Sequence, residues 1–463
     1  MEINAIVLAA GKGSRLKVAT PKPLCTVLNK PLIDYTVELL KETSKKIDKK
    51  INTTFVLGHD KESILAHLES TTKNFAIAYQ EEQLGTGHAV KICFDQIETL
   101  KDSEYTFVLC ADTPLISSES LNILYSSISE KGVDAVCASF NAANPTGYGR
   151  IIKMKTGFQI IEEKDATNEQ RTVREVNSGV YIFKTSYLVN HISDLKNNNS
   201  SNEFYLTDLF QENQKVIAKL FEDSQEFLGI NDMAQLSEAE NLINRKKIYD
   251  LQKNGVRFIL PETVYLGGNI EIGTGSVIYP NVTLEEDVTI ESNVKIEAGC
   301  TIKNSKIKSN SIIKASSYIE KSIIGENCKV GPMAHLRPET VLENDCRVGN
   351  FVEIKKSTFK QGSKASHLSY IGDAQIGEKS NLGCGFITCN YDGADKHKTI
   401  IGKNCFIGSD TQLIAPITLG DEVYIASGST INKSLPTGAF GIARSRQQTK
   451  EGQAKKFIKT KEK

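Results

Sequence analysis

The 463-residue chain reads as two fold classes in series. A doubly wound α/β domain with a mostly parallel sheet comes first, a coil of short parallel strands second, and a helical arm joins them. Three observations predict this. An aliphatic residue recurs at every sixth position in long runs between about Ile272 and Ile431. Apolar strand-like runs alternate with helix-like ones before residue 230. Between the two, Met233, Leu236, Ala239, Ile243 and Leu251 keep roughly helical spacing, and Gly255 can stop that helix. The expected boundaries are 1–230, 231–255 and 256–463.

The six-residue period excludes a helix, which would repeat at three and four, and a flat strand, which would alternate by two. Ile272, Ile278, Leu284, Ile290, Ile296 and Ile302 share one register. Ile324 to Ile354 and Ile401 to Ile431 repeat it. In a coil of short strands every sixth residue points inward and stacks on the coil below. Glycine often follows, as in Ile324-Gly325, Val348-Gly349 and Ile407-Gly408, which suggests corners with backbone angles that other residues avoid. The register slips near 303–323 and 355–400, where insertions are expected. The second slip is dense in Lys355, His367, Tyr370, Asn381, Asn390 and Tyr391, unusual for a purely structural repeat.

In the first half, Ile3–Ala10 reads as a buried parallel strand, followed by Gly11-Lys12-Gly13-Ser14-Arg15. This is neither a P-loop nor a dinucleotide fingerprint, because the lysine and glycine spacings are wrong. Lys12, Arg15 and Lys22 nevertheless set three cations beside a glycine loop, which suits a triphosphate. Helices are expected over Leu32–Leu40, Ile64–Leu68 and from His88, and strands over Thr53–Leu57, Phe75–Tyr79 and Thr106–Ala111. Ligands of such sheets bind beyond the strand ends, where Asp112 stands. Position alone favours a turn or helix-capping aspartate before Pro114 over a metal ligand.

Composition narrows the function classes. Lysine plus arginine equals aspartate plus glutamate at 56 each, so nothing marks a nucleic-acid scaffold or a membrane-surface protein. No apolar run is long enough to span a bilayer, and Met1-Glu2-Ile3-Asn4 lacks a basic leader, so no secretory signal is expected. Ten cysteines without a Cys-x-x-Cys pair read as free thiols of a reducing cytoplasm rather than a zinc site. The lysine-rich stretch from Lys450 to Lys463 reads as a solvated tail.

Several motifs then combine. Leu8-Ala9-Ala10-Gly11-Lys12-Gly13-Ser14-Arg15, Pro21-Lys22, Gln80 with Gly85-Thr86, and Thr207-Asp208 resemble a sugar-phosphate nucleotidyltransferase. His335-Leu336-Arg337-Pro338, the stretch Val348–Lys356, Gly362–Asp373, Ile387–Gly393 and Gly408-Ser409-Asp410-Thr411 follow in order. Together they resemble the bacterial bifunctional N-acetylglucosamine-1-phosphate uridyltransferase / glucosamine-1-phosphate acetyltransferase family over almost the whole chain. The resemblance implies a Rossmann-like nucleotidyltransferase domain, a left-handed parallel β-helix of hexapeptide repeats and a homotrimer with acetyl sites between subunits. It implies acetyl transfer from acetyl-CoA to glucosamine-1-phosphate, then UMP transfer from UTP to N-acetylglucosamine-1-phosphate, feeding peptidoglycan and lipopolysaccharide synthesis.

The same resemblance assigns roles. Leu8, Ala9, Ala10 and Gly11 wrap the nucleotide, Arg15 and Lys22 face its phosphates, and Gln80, Gly85 and Thr86 read the uracil. Cys110, Ala111 and Asp112 line the nucleotide, Gly149, Glu162 and Asn177 contact the sugar, and Asp112 with Asn231 holds Mg2+. In the acetyl site His367 is the general base, and Arg337, Lys355, Tyr370 and Asn381 cradle the sugar phosphate. Asn390 and Tyr391 stand beside the reacting groups, and Cys384, Ser409, Ser427 and Arg444 contact coenzyme A. Five positions depart from the family pattern: Cys110-Ala111 replaces Tyr-Gly, Met233 an arginine, and Cys384 and Ser427 alanines. Two rival readings stay open: a nucleotidyltransferase whose β-helix is only a scaffold, and a non-catalytic assembly protein. The cluster His367, Lys355, Arg337 and Asn390 weighs against the first, and Arg15, Lys22, Asp112 and Asn231 against the second.

Overall fold

The computed structural model describes residues 2–211 and 215–458. The readings of Met1 and of the tail's last five residues lie outside that range. Two compact units make up the chain, Met1–Ile243 and Asn244–Lys463, and the division falls inside one helix, Met233–Lys253.

The first unit is built on a nine-stranded sheet with Ile3–Ala9 near its centre. Its neighbours Ile51–Leu57 and Tyr105–Cys110 both run parallel to it, and Phe75–Tyr79 runs parallel at the edge. Glu175–Lys184 enters antiparallel and carries Ala135–Asn141 and Val216–Phe221 on its far side, so the sheet is mixed. Alternate side chains feed two cores. Val7, Phe55, Leu57, Phe107 and Leu109 pack on one face, and Ile6, Val56 and Val108 on the other. Central strands buried on both faces are nearly all apolar, which is why Ile3–Ala10 carries no alternation; its one polar residue, Asn4, is buried and donates to the Leu100 carbonyl at 2.7 Å. The helix expected from His88 begins at Thr86, with Gly85 at φ 107° as its cap.

The second unit is a parallel β-helix of 26 short strands. Ile278, Leu284, Ile296, Ile302, Ile313, Ile319, Val330 and Ile354 are all fully buried along its axis. Burying each such side chain is worth about 1.5–3 kcal/mol. Its first coil is closed by the arm: Asn244 donates to the Val264 carbonyl at 2.7 Å and accepts from the Leu266 N–H at 3.0 Å. Ile248 joins the buried column there. An open sheet end is thereby covered rather than left as a template for pairing.

The register explains the slips. Val277 pairs with Lys295, 18 residues on, but Lys295 pairs with Ile312, only 17 on. The slip at 303–323 is therefore a coil shortened by one residue at a corner, not the insertion expected there. The second slip combines 17-residue steps, as from Lys364 to Asn381, with a 25-residue step from Asn381 to Phe406. That step alone holds a true loop.

The corner glycines also need a different account. Of Gly273, Gly325, Gly331, Gly349, Gly377, Gly402 and Gly408, each of which follows an aliphatic position, only Gly331 has a positive φ, 92°. The others are required by proximity: a Cβ on Gly325 would lie 2.6 Å from the Glu343 carbonyl carbon, and one on Gly349 only 1.8 Å from the Ser366 carbonyl oxygen. The left-handed angle falls two residues further on, commonly on asparagine, as at Asn293 and Asn327.

Candidate functional sites

In the first unit the carboxyl ends of three parallel strands open onto a cavity of about 280 Å³. Leu8, Ala9, Ala10, Gly11, Lys22, Gln80, Gly85, Thr86, Cys110, Ala111 and Asp112 line it, as expected for a switch-point pocket. The lining is rigid. The Ala111 N–H donates to the Leu8 carbonyl at 3.1 Å, tying two strand ends together. Gln80 is 4% exposed, and its amide lies 3.2 Å from both the Gly85 carbonyl and His88 Nδ1. Gly85 has no room for a side chain, because a Cβ would sit 2.6 Å from the Phe204 carbonyl. Glu203, absent from the sequence-level list, lines the pocket as well.

Basic and oxygen-bearing side chains meet at the pocket mouth. The Lys22 ammonium is paired with the Asp112 carboxylate and lies 3.3 Å from Asn231 Oδ1. Arg15 donates to that same oxygen at 2.8 Å. Asp112 caps no helix; the nearest one begins at Ser118 and is capped by Ser117. A carboxylate and an amide oxygen thus converge on one cation, a donor set that fits a hard divalent metal.

The expected sugar contacts form a second cluster. The Asn177 N–H donates to the Gly149 carbonyl at 2.8 Å, and a Cβ on Gly149 would lie 3.3 Å from Glu162 Oε1. Thr207 donates to Glu162 at 3.0 Å. Burial first, then Asp208, Asp165 and Glu203, push the Glu162 carboxyl above its usual range. None of Gly149, Glu162 and Asn177 lines the 280 Å³ pocket; Glu162 faces a larger cavity of about 1160 Å³ with Asp165 and Asp208. Asn177 Nδ2 is held by the Tyr181 hydroxyl at 2.6 Å.

In the β-helix the candidates lie on three ladders. Asn350 and His367 are register partners, and His367 Nδ1 lies 2.8 Å from Asn350 Oδ1. The corner bearing His367 continues through Cys384, Ser409 and Ser427. The Asp410 N–H donates to the Cys384 carbonyl at 2.7 Å, and the Gly428 N–H to the Ser409 carbonyl at 2.8 Å. Arg444 closes the column by donating to the Ser427 carbonyl at 2.8 Å. Of the ten thiols, Cys384 alone is exposed.

A second ladder holds Arg337, Lys355, Tyr370 and Asn390. Arg337 pairs with Glu353 at 2.7 Å, and Glu353 is the register partner of Tyr370. A Cβ on Gly372, the partner of Lys355, would strike both the Tyr370 hydroxyl and Asn390 Nδ2. Asn390 is 6% exposed and donates to Asp373 at 2.6 Å. Tyr391 is exposed, its hydroxyl bonded to the Gly393 carbonyl. Asn381 stands apart on a third ladder, between Lys364 and Phe406, so this chain by itself does not bring it to Lys355. Lys396 was missed by sequence reading; its ammonium is the main reason that Lys355 sits below its usual pKa, with Arg337 adding to the effect.

Comparison with known proteins matches this division. Residues 4–227 match the nucleotidyl transferase family. Residues 264–348 match the GMPPB C-terminal domain, and 398–433 the bacterial transferase hexapeptide family. The bifunctional protein GlmU of Pelobacter propionicus is 40% identical over 456 residues, 97% of each chain. That of Clostridioides difficile is 41% identical over 98% of each. That of Staphylococcus haemolyticus is 40% identical over 98% of this chain and 100% of its own. The repeat half is accordingly a left-handed parallel β-helix, and family membership implies a divalent metal in the nucleotidyl half. With both halves matched along nearly its whole length, the chain belongs to the family of bifunctional GlmU proteins, enzymes carrying a nucleotidyltransferase and a hexapeptide transferase on one polypeptide.

Proposed function

We propose the following division of labour for the synthesis of UDP-N-acetylglucosamine. The β-helix acetylates the amine of glucosamine-1-phosphate from acetyl-CoA. The N-terminal domain, 1–230, joins the product to UMP from UTP and releases pyrophosphate; 231–255 is the linking arm and 256–463 the acetyl domain. The observation that carries this reading is the convergence of Arg15, Lys22, Asp112 and Asn231 at one pocket mouth, alongside a separate cation cluster around Lys355.

In uridyl transfer a sugar-phosphate oxygen attacks the α-phosphorus of UTP, and pyrophosphate leaves. Such a step needs charge neutralisation more than a protein nucleophile. Lys22 and Arg15 supply cations at the phosphates. Gln80, fixed by Gly85 and His88, presents its amide to the uracil edge. Asp112 and Asn231 are the residues that would hold Mg2+. When bound, the metal adds neutralisation of phosphate charge.

In acetyl transfer the amine must lose a proton to attack the thioester carbon. With Asn350 Oδ1 accepting from His367 Nδ1–H, the Nε2 lone pair is free to take that proton. Arg337, Lys355 and Lys396 neutralise the sugar phosphate. Asn390, one of whose amide hydrogens is held by Asp373, offers the other to the developing oxyanion. Cys384, Ser409, Ser427 and Arg444 line the coenzyme A path, with Tyr391 beside the reacting groups. Asn381 joins the site from a neighbouring copy, which is the reason to propose a homotrimer. No helix of the described residues is long and apolar enough to cross a membrane, and we place the enzyme in the cytoplasm, where its cosubstrates are.

A coupled assay tests the scheme. Glucosamine-1-phosphate, acetyl-CoA, UTP and magnesium are supplied, and free thiol and pyrophosphate are followed separately. The expected result is thiol release first, with pyrophosphate dependent on it. Pyrophosphate only from N-acetylglucosamine-1-phosphate, with no thiol release, would leave the β-helix as a scaffold.

A further inference from the structure

The repeat half contains one stretch that coil stacking does not require. The step from Asn381 to Phe406 is seven residues longer than the 18 between Thr399 and Ile417. The excess lies between Asn390 and Lys398 and folds back on itself. Tyr391 bridges Lys396 in antiparallel register, and the His397 N–H donates to the Asn390 carbonyl at 2.8 Å. Asp392 is the hub: its Oδ1 accepts from the Ala394 and Asp395 N–H groups at 2.9 and 2.7 Å, and its Oδ2 lies 2.6 Å from His397 Nε2. These bonds hold the Asp392 carboxyl well below the usual carboxylate range, His397 contributing most.

The hairpin springs from Asn390, whose Nδ2 stands against Gly372, the register partner of Lys355, and its return strand thereby carries Lys396 to the Lys355 side, where its charge acts on Lys355. Glu353 pairs with Arg337 and the Asp373 charge offsets part of the repulsion at Lys355, but the net effect of Lys396 and Arg337 there is still repulsive. An exposed loop with no restraint would swing Lys396 into water, where its charge is better solvated and its side-chain entropy higher. The restraint visible here is local: two short bonds from Asp392 close the turn, and the third ties its far end at His397. Both side chains are partly exposed and neither belongs to the buried column, so coil stability does not require them.

We propose that Asp392 and His397 form a positioning clasp that holds Lys396 beside Lys355, so that the glucosamine-1-phosphate dianion meets a preassembled three-cation notch. This inference rests on the reading of the acetyl site given above. Neither residue touches the substrate; both act through Lys396, and their signature is a change confined to the phosphate-bearing substrate.

The test is acetyl-transfer kinetics on the full chain carrying His397→Phe or Asp392→Asn. Each is expected to raise KM for glucosamine-1-phosphate about tenfold while changing KM for acetyl-CoA less than about twofold. His397→Gln, whose amide can donate near the position of Nε2, should recover most of the loss. In a Lys355→Ala background, where Lys396 has lost its repelling neighbour, His397→Phe should add little. The unchanged KM for acetyl-CoA, together with an unchanged melting transition of the full chain, shows that the β-helix of the variants is folded. The proposal is overturned if both variants leave KM for the sugar phosphate unaltered, or if both KM values rise together and glutamine rescues neither, as a general loop defect would produce. If Lys355→Ala itself fails to raise KM for the sugar phosphate, the acetyl-site reading falls and takes the clasp with it.

Discussion

Gly349→Ala offers a sharp test of how the repeat supports catalysis. The added Cβ would lie 1.8 Å from the Ser366 carbonyl oxygen, whereas a carbon–oxygen contact needs about 3.3 Å. The two coils must part locally by about 1.5 Å, and Ser366 directly precedes His367. Overpacking of this kind costs about 1–3 kcal/mol. A displacement of about 1 Å at a catalytic base can cost about a hundredfold in rate. Acetyl-transfer kcat is therefore expected to fall about a hundredfold, with uridyl transfer intact. Gly273→Ala is the matched control. Its Cβ would also be crowded, though less severely, 2.6 Å from the Ser292 nitrogen, and in the first coils, remote in register from His367. It should lower the melting temperature and spare acetyl transfer. The reasoning fails if Gly349→Ala keeps acetyl-transfer kcat within about threefold of the parent, or if Gly273→Ala loses as much.

Other outcomes follow from the two sites. Asp112→Ala should reduce uridyl transfer by about two orders of magnitude or more and leave acetyl transfer alone, since one of the two oxygens at the pocket mouth is lost; normal uridyl rates would mean that the metal is held elsewhere. His367→Ala should do the reverse, and loss of both activities in a folded protein would refute their independence. Cys384 should be the first thiol alkylated by maleimide, because it is exposed while Cys300, Cys346 and Cys405 are buried, and acetyl-CoA should protect it if the proposed coenzyme A corner is right. Glu162→Gln should raise the melting temperature at pH 8 relative to the parent. Burial lifts the folded-state pKa of Glu162 above its unfolded value, so its favourable contribution is full only below the unfolded pKa and is lost as pH rises through the folded one. The difference should vanish below the unfolded carboxylate range, and a constant gain across pH would assign it to something other than ionisation.

The fold was legible where one residue type repeats for one reason. Ile278, Ile296 and Ile313 stack in register, so the period could be read from the sequence alone. The corner glycines were seen but misread: a sequence displays the missing side chain of Gly349, not the carbonyl of Ser366 waiting opposite it. Lys396 and His397 fall in an insertion with no period, and their importance lies in contacts with Lys355 and Asp392 that spacing does not encode. Glu203 reaches the 280 Å³ pocket because the Gly87 N–H and the Phe204 carbonyl bind across a long chain separation, which no local pattern announces. Asn381 was grouped with Lys355 through resemblance, yet it lies on another ladder; the grouping can hold only across copies of the chain.

The column from His367 through Cys384, Ser409 and Ser427 to Arg444 also acts as a ruler. Each step is one coil, so the span from base to guanidinium is four strand spacings, about 19 Å. Changing a corner by one residue, as the 17- and 18-residue coils do, leaves that span untouched. It can change only in whole graduations, by gaining or losing a coil. For a cosubstrate lying along this corner, as proposed for coenzyme A, the reach is thus counted out in coils, and point substitution can adjust its grip but not its length.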